Sequence, residues 1–146
     1  MKRYRYKFRV KYGKALDTGK NKKVSEEYLV DAESFTETEK RATKAATEHI
    51  GTRDFDITAI SREPITEILK EDENEGNHWY KTVVSLVTED EDTGVKKFSP
   101  QTIYVNASSI KEADHMLREH MESSVTDWEI KSIAETKVLG VLGYKQ

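Results

Sequence analysis

The chain has 146 residues, a formal net charge of −3, 35% charged and 36% hydrophobic residues, and no cysteine. That length supports one domain or two small, intimate ones. The composition excludes a disulfide framework, a thiolate metal site and a global cationic field, and no apolar run approaches the ~20 residues of a transmembrane helix.

Tyr4, Tyr6, Phe8, Val10 and Tyr12 alternate with Arg3, Arg5, Lys7, Arg9 and Lys11. Strict period-two alternation predicts a half-buried strand, with its rings and aliphatic groups facing a core and its basic groups facing outward. Asp17-Thr18-Gly19 is a turn signal. A second strand over Lys23 to Ala32 closes a long-looped hairpin. Ser34 and Glu37 fit a capping box, in which the serine hydroxyl accepts from the N3 amide and the glutamate reaches back to the serine's own N–H. The helix it starts runs from about Phe35 to Ile50, with Phe35, Ala42, Ala45, Ala46, His49 and Ile50 inward, and Gly51 stops it. A third strand covers Phe55 to Arg62, and Ile65 to Leu69 is a short fourth strand or an edge continuation beyond Pro64. Glu71 to Asn77 is an acidic linker.

The same order then repeats. A strand over Trp79 to Val87, a turn at Asp92-Thr93-Gly94, a return strand over Phe98 to Ala107 and a capping box at Ser109 and Glu112 follow in turn. Pro100 marks an edge or bulge in the return strand. A helix from about Ile110 to Glu122 places Ile110, Ala113, Leu117, His120 and Met121 inward, and strands over Trp128 to Ala134 and Val138 to Leu142 end the unit. Val30-Asp31-Ala32-Glu33-Ser34 lies over Val105-Asn106-Ala107-Ser108-Ser109, and Phe55-Asp56-Ile57 over Trp128-Glu129-Ile130, at a near-constant offset. The expected class is therefore α+β, a tandem duplication of a β-β-α-β unit. Residues 1–70 form the first repeat, 71–77 the linker and 78–146 the second, packed about a pseudo-twofold axis with antiparallel sheets and one helix per repeat. Neither half, at roughly 70 residues, buries enough to stand alone.

The opening aromatic-basic strand, the hairpin ending in Tyr28-Leu29-Val30-Asp31-Ala32-Glu33-Ser34-Phe35 and the duplicated layout resemble an uncharacterised family of Bacteroidetes bacteria and their phages and mobile elements, catalogued as a domain of unknown function. The resemblance covers nearly the whole chain. It implies a bacterial or phage cytoplasmic context and brings no catalytic residues.

No catalytic constellation is expected. His115 and His120 stand five apart, which is not the i,i+4 spacing of paired helical ligands. Ser34 and Ser109 are used in capping. Phosphate-loop, dinucleotide and nucleophile-elbow motifs are absent, so neither a metal nor a cofactor is expected. The start, Met1-Lys2-Arg3-Tyr4-Arg5, has no apolar signal-peptide core, and the expectation is a cytoplasmic protein with no membrane partner.

The basic strand carries the one functional lead. Arg3, Arg5, Lys7, Arg9 and Lys11 recur every ~6.6 Å along one face, close to the phosphate spacing of a stretched nucleic-acid strand. Lys2 and Lys14 stand at the ends of the strand, and Lys20, Lys22 and Lys23 lie just across the hairpin loop. The second copy has Lys81, Val83, Ser85 and Val87 on the corresponding face, so this charge is not a by-product of the fold. The leading expectation is a non-enzymatic nucleic-acid-binding accessory protein, for DNA or RNA, with Trp79, Tyr80 or Trp128 available for stacking. The alternatives are a protein-interaction module, a phage or mobile-element factor acting on host machinery through its basic strand and acidic loops, and, behind it, a small-molecule binder between the repeats. Two bland explanations compete for the basic face: lysines guarding an edge strand, or pairing with the acidic runs Glu71 to Glu75 and Glu89 to Asp92.

Overall fold

Alternation at Tyr4 to Tyr12 produces a strand twelve residues long. The computed structural model describes residues 4–50, 54–70 and 77–142. Its elements are β1 (Tyr4–Ala15), β2 (Asn21–Ala32), α1 (Phe35–Ile50), β3 (Phe55–Glu63), β4 (Glu67–Lys70), β5 (His78–Glu89), β6 (Lys96–Ala107), α2 (Ile110–Met121), β7 (Asp127–Glu135) and β8 (Val138–Leu142). The class is α+β, as expected, and each half contributes two long strands, a helix and two shorter strands. The acidic segment 71–76 lies outside the described residues.

The duplication extends to hydrogen-bond register. Tyr6 faces Val30 across β1–β2, and Tyr80 faces Val105 across β5–β6. The third strand of each half is antiparallel to the first and is bulged at the same place, between Arg9 and Val10 in one copy and between Val83 and Val84 in the other. A bulge inserts one residue and bends the strand, so its recurrence at matching positions reflects a shared backbone. Both hairpin tips turn on a glycine at positive φ, Gly19 at 82° and Gly94 at 70°, a region that residues with a Cβ seldom occupy.

The fourth strands do not stay with their own repeats. The sheets run β3-β1-β2-β8 and β4-β6-β5-β7. β8 pairs parallel with β2, and β4 pairs parallel with β6, so each sheet has one parallel edge rather than being wholly antiparallel. The chain accordingly divides into two compact units at Pro64/Ile65 and Thr136/Lys137. Unit one holds β1, β2, α1, β3 and β8; unit two holds β4, β5, β6, α2 and β7. A repeat in sequence and a unit in space therefore differ by one exchanged strand.

In unit one, Tyr6, Phe8, Val10, Val30 and Ala32 pack with Ala42 and Ala46 of α1. The alanines leave room for the helix to lie close on the sheet. In unit two, Tyr80, Val84, Ile103, Val105 and Ala107 pack with Ala113, Met116, Leu117 and Met121 of α2. Phe35 and Ile110, expected inward, are the first helical residues and are exposed, although Phe35 still meets the Tyr6 ring edge-on at 5.0 Å. The side chains of His49 and Ile50, also expected inward, lie outside the described residues. Phe55 and Trp128 pack against the two cores while half-buried.

Both helix starts are capped by the expected serines. Ser34 Oγ accepts from Glu37 N–H at 3.1 Å, and Ser109 Oγ accepts from Glu112 N–H at 3.1 Å. The glutamates' own bonds differ from the box pattern. Glu37 accepts from the Glu33 N–H, one residue before the cap, at 2.8 Å, and Glu112 accepts from the Ser108 hydroxyl. The carboxylate still sits over the first turn, where the helix dipole favours it. Ser34→Ala and Ser109→Ala are each expected to lower stability by about 1 kcal/mol in denaturant melts. An unchanged melt would show that the hydroxyl bond contributes nothing to either helix start.

Candidate nucleic-acid interface

The pleat places Tyr6, Phe8 and Val10 toward α1, so Arg5, Lys7, Arg9 and Lys11 occupy the other face of β1. β1 is not an edge strand, because it lies between β3 and β2; edge protection therefore does not explain these four residues. Arg3 lies outside the described residues.

Neighbouring strands answer part of the basic row. Arg9 donates from Nη2 to Glu27 Oε1 at 2.7 Å, and the Glu27 side chain is only 11% exposed. Lys7 Nζ lies 3.6 Å from Glu63 Oε1. Arg5 is half-buried and is flanked in register by Asp31 and Glu63. These partners come from β2 and β3; the acidic run Glu71 to Glu75 lies outside the described residues. A carboxylate already seated on a guanidinium competes with phosphate for it, so Lys7 and Arg9 are weak candidates for ligand contact. Lys11 remains exposed.

The free charge lies further along the hairpin. β3 ends its pairing where Phe55 meets Tyr12, and β8 reaches back along β2 only to Glu27. Beyond these points β1 and β2 continue as a two-stranded ribbon closed by the turn at Gly19. Lys11, Lys14, Lys20, Lys22 and Lys23 are all exposed, and none has a carboxylate partner among the described residues. Lys14 stands directly opposite Lys22. Like charges directly opposite on two strands are destabilising, so packing alone does not account for this pair. The corresponding pairs in the second hairpin are Glu89 with Lys96 and Thr88 with Lys97.

The two ribbons thus carry opposite charge. Residues 11–25 hold five lysines and one aspartate, whereas the matching residues 85–100 hold four acidic residues and two lysines. In the acidic turn, the Asp90 carboxylate accepts from the Asp92 and Thr93 amides at 2.8 and 3.2 Å, which assigns it to turn formation.

Pro100 has a place in this geometry. Thr66 N–H donates to the Thr102 carbonyl at 2.8 Å, so the backbone groups of Thr102 point to the β4 side of β6. Pro100, two residues earlier, faces the same way but beyond the reach of β4, whose pairing begins at Ile103. The proline thus removes a donor from an open edge and leaves the β5–β6 ladder intact.

At the base of the basic ribbon, Glu26 accepts from the hydroxyls of Tyr12 and Tyr28, each at 3.1 Å. Burial, reinforced by the Glu26 carboxylate, pushes the Tyr28 phenol up to about 12. The same causes in the same order raise Tyr12. The stacking residues proposed from sequence are not available near the ribbon: Trp79 and Tyr80 are buried, and Trp128 packs against the core of unit two.

The remaining histidines form local pairs. His78 lies 3.2 Å from Glu135, His115 lies 3.1 Å from Glu119 and His120 lies 2.5 Å from Glu67 of β4. The last pair ties the exchanged strand to α2. Among the described residues, no three His, Asp or Glu side chains gather as a metal site, and no helix is long and apolar enough to cross a membrane.

Fold and site together define a duplicated α+β protein in which two strand-exchanged units carry ribbons of opposite charge. A family model described as "Domain of unknown function (DUF4494)" matches residues 4–144, and the chain belongs to that family. Comparison with curated proteins and with solved structures finds no match.

Arg9→Ala leaves the Glu27 carboxylate buried without its guanidinium and is expected to cost about 1–3 kcal/mol in chemical denaturation. Lys7→Ala breaks a longer pair, 3.6 Å against 2.7 Å, and is expected to cost less, under ~1 kcal/mol. Equal effects would mean that Glu27 finds another donor. For Tyr28, the folded-state value lies above the ordinary 10.0, so the folded chain holds a proton that the unfolded chain has released. Its stabilising contribution is complete below pH 10 and is lost as pH rises toward about 12;. Melts at stepped alkaline pH should show this decline, and Tyr28→Phe should flatten it.

Proposed function

We propose that the chain is a non-enzymatic accessory protein that binds nucleic acid through its phosphates, in the bacterial or phage cytoplasm that the family resemblance implies. The observation that carries this reading is the lysine ribbon: four exposed lysines, two of them directly opposed, on a two-stranded projection, with exposed Lys11 at its base, none with a carboxylate partner among the described residues. Concentrated cations without protein partners suit a polyanion, and phosphate contacts supply most of the affinity of nucleic-acid binding that is not sequence-specific. Within the row first read from sequence, the contact shifts outward. Lys11 stays, Arg5 lies at its inner margin, Lys7 and Arg9 serve Glu63 and Glu27, and Lys14, Lys20, Lys22 and Lys23 join.

A competing role for Lys22 and Lys23 is protection of the open outer edge of β2, and charge reversal separates the two roles. A charge of either sign guards an edge, but only a cation holds a phosphate. The Lys14→Glu, Lys22→Glu, Lys23→Glu variant should stay soluble and folded while losing binding in an anisotropy titration near ~50 mM salt, the low end of the range over which such binding is compared. For the wild type, log K should fall with log salt at a slope of roughly −3.5 to −4.5 for five contacts. Undiminished binding by the reversed variant would overturn the ribbon as the contact. Absence of wild-type binding would favour a protein-interaction module, for which the opposite charge of the two ribbons is the supporting observation.

A further inference from the structure

Resting on that reading, we infer that the ribbon is built for duplex DNA and enters its major groove, in preference to single strands or duplex RNA. The first argument is size. Strands in a ribbon lie ~4.8 Å apart, and the major groove of B-DNA, ~12 Å wide and ~8.5 Å deep, admits a two-stranded ribbon. Three residue pairs, Gly13 with Lys23, Lys14 with Lys22 and Ala15 with Asn21, extend beyond the end of β3. At ~3.4 Å per residue they project about 10 Å before the turn is counted, long enough to reach the floor of a groove ~8.5 Å deep. The major groove of A-form RNA is deep and too narrow for side chains to read.

The second argument is the placement of charge. Lys14 and Lys22 share one face of the ribbon, Lys11 and Lys23 share the other, and Lys20 stands at the turn;. Cations on both faces suit a ligand that presents phosphates on two sides, as the walls of a groove do. A single strand lying along one face would meet only part of the set.

The third argument is chemical. Unpaired bases are held chiefly by stacking on aromatic rings. The only ring on the ribbon is Tyr12, which is half-buried with its hydroxyl on Glu26. The exposed Phe98 belongs to the other, acidic ribbon. A ribbon with lysines and no free ring binds backbone and shape.

The test is competition anisotropy with the full chain on three probes of one sequence: duplex DNA, one of its single strands, and the duplex RNA. Each contact releases ~0.9 counterion from duplex DNA against ~0.7 from a single strand. Over five contacts, and for equal affinities at ~1 M salt, this favours the duplex by on the order of tenfold near ~50 mM salt. Duplex DNA should bind tightest, and a minor-groove dye should leave that binding unchanged. Equal or tighter binding of the single strand or the duplex RNA, or displacement by the dye, would overturn this inference while leaving phosphate binding in place. Failure to bind any of the three would overturn the functional reading itself.

Discussion

The two parallel pairings, β2 with β8 and β4 with β6, are the constraint on which the rest depends. β2 and β6 carry buried residues at their C-terminal ends: Leu29, Val30 and Ala32 in one, Ile103, Tyr104, Val105 and Ala107 in the other. Backbone groups beside such residues need hydrogen-bond partners, because a buried orphan costs as much as a lost bond. The first hairpin strand covers one side. The other side is covered by a strand from the far repeat, over Glu27 to Val30 in unit one and Ile103 to Asn106 in unit two. The borrowed strands extend no further than this, and where they stop, burial gives way to the exposed ribbons.

That division separates a conserved geometry from a divergent surface within one molecule. Core register, bulge position, cap serine and turn glycine agree between the copies, because each is fixed by backbone sterics or by packing. The ribbons are free of those demands, and there the copies part: Lys14 opposite Lys22 in one, Thr88 opposite Lys97 in the other. The charge difference at the hairpin ends lies in segments that carry no core, and so is more readily tied to what each ribbon meets than to folding.

Much of this was legible in the sequence because it is local. The Ser34 and Ser109 caps, the Asp-Thr-Gly turns and the alternation of β1 each need only a few neighbouring residues to be read. The exchange of fourth strands was not legible. Glu67 to Lys70 and Val138 to Leu142 are short, and nothing in a four- or five-residue strand names its partner. The candidate site was half legible for the same reason. Arg5, Lys7, Arg9 and Lys11 could be placed on one face from alternation alone, but Glu27 and Glu63 come beside them only through register across two strand pairs. Met116 was missed among the inward residues of α2, while Ile110 was included although the first helical position faces away from the core.

The exchanged strands also bear on descent. A single ancestral copy, stopping after its fourth strand, could complete its sheet only by taking that strand from a second molecule, so the unfused form would have been a symmetric dimer with two identical hairpins. In such a dimer any substitution that makes one hairpin basic makes both basic. Joining the copies into one polypeptide keeps the mutual donation of strands and lifts that restriction. Lys14, Lys20, Lys22 and Lys23 could then accumulate on one hairpin while Glu89 to Asp92 accumulated on the other, so that one chain carries ribbons of both signs on a scaffold that began as two equal halves.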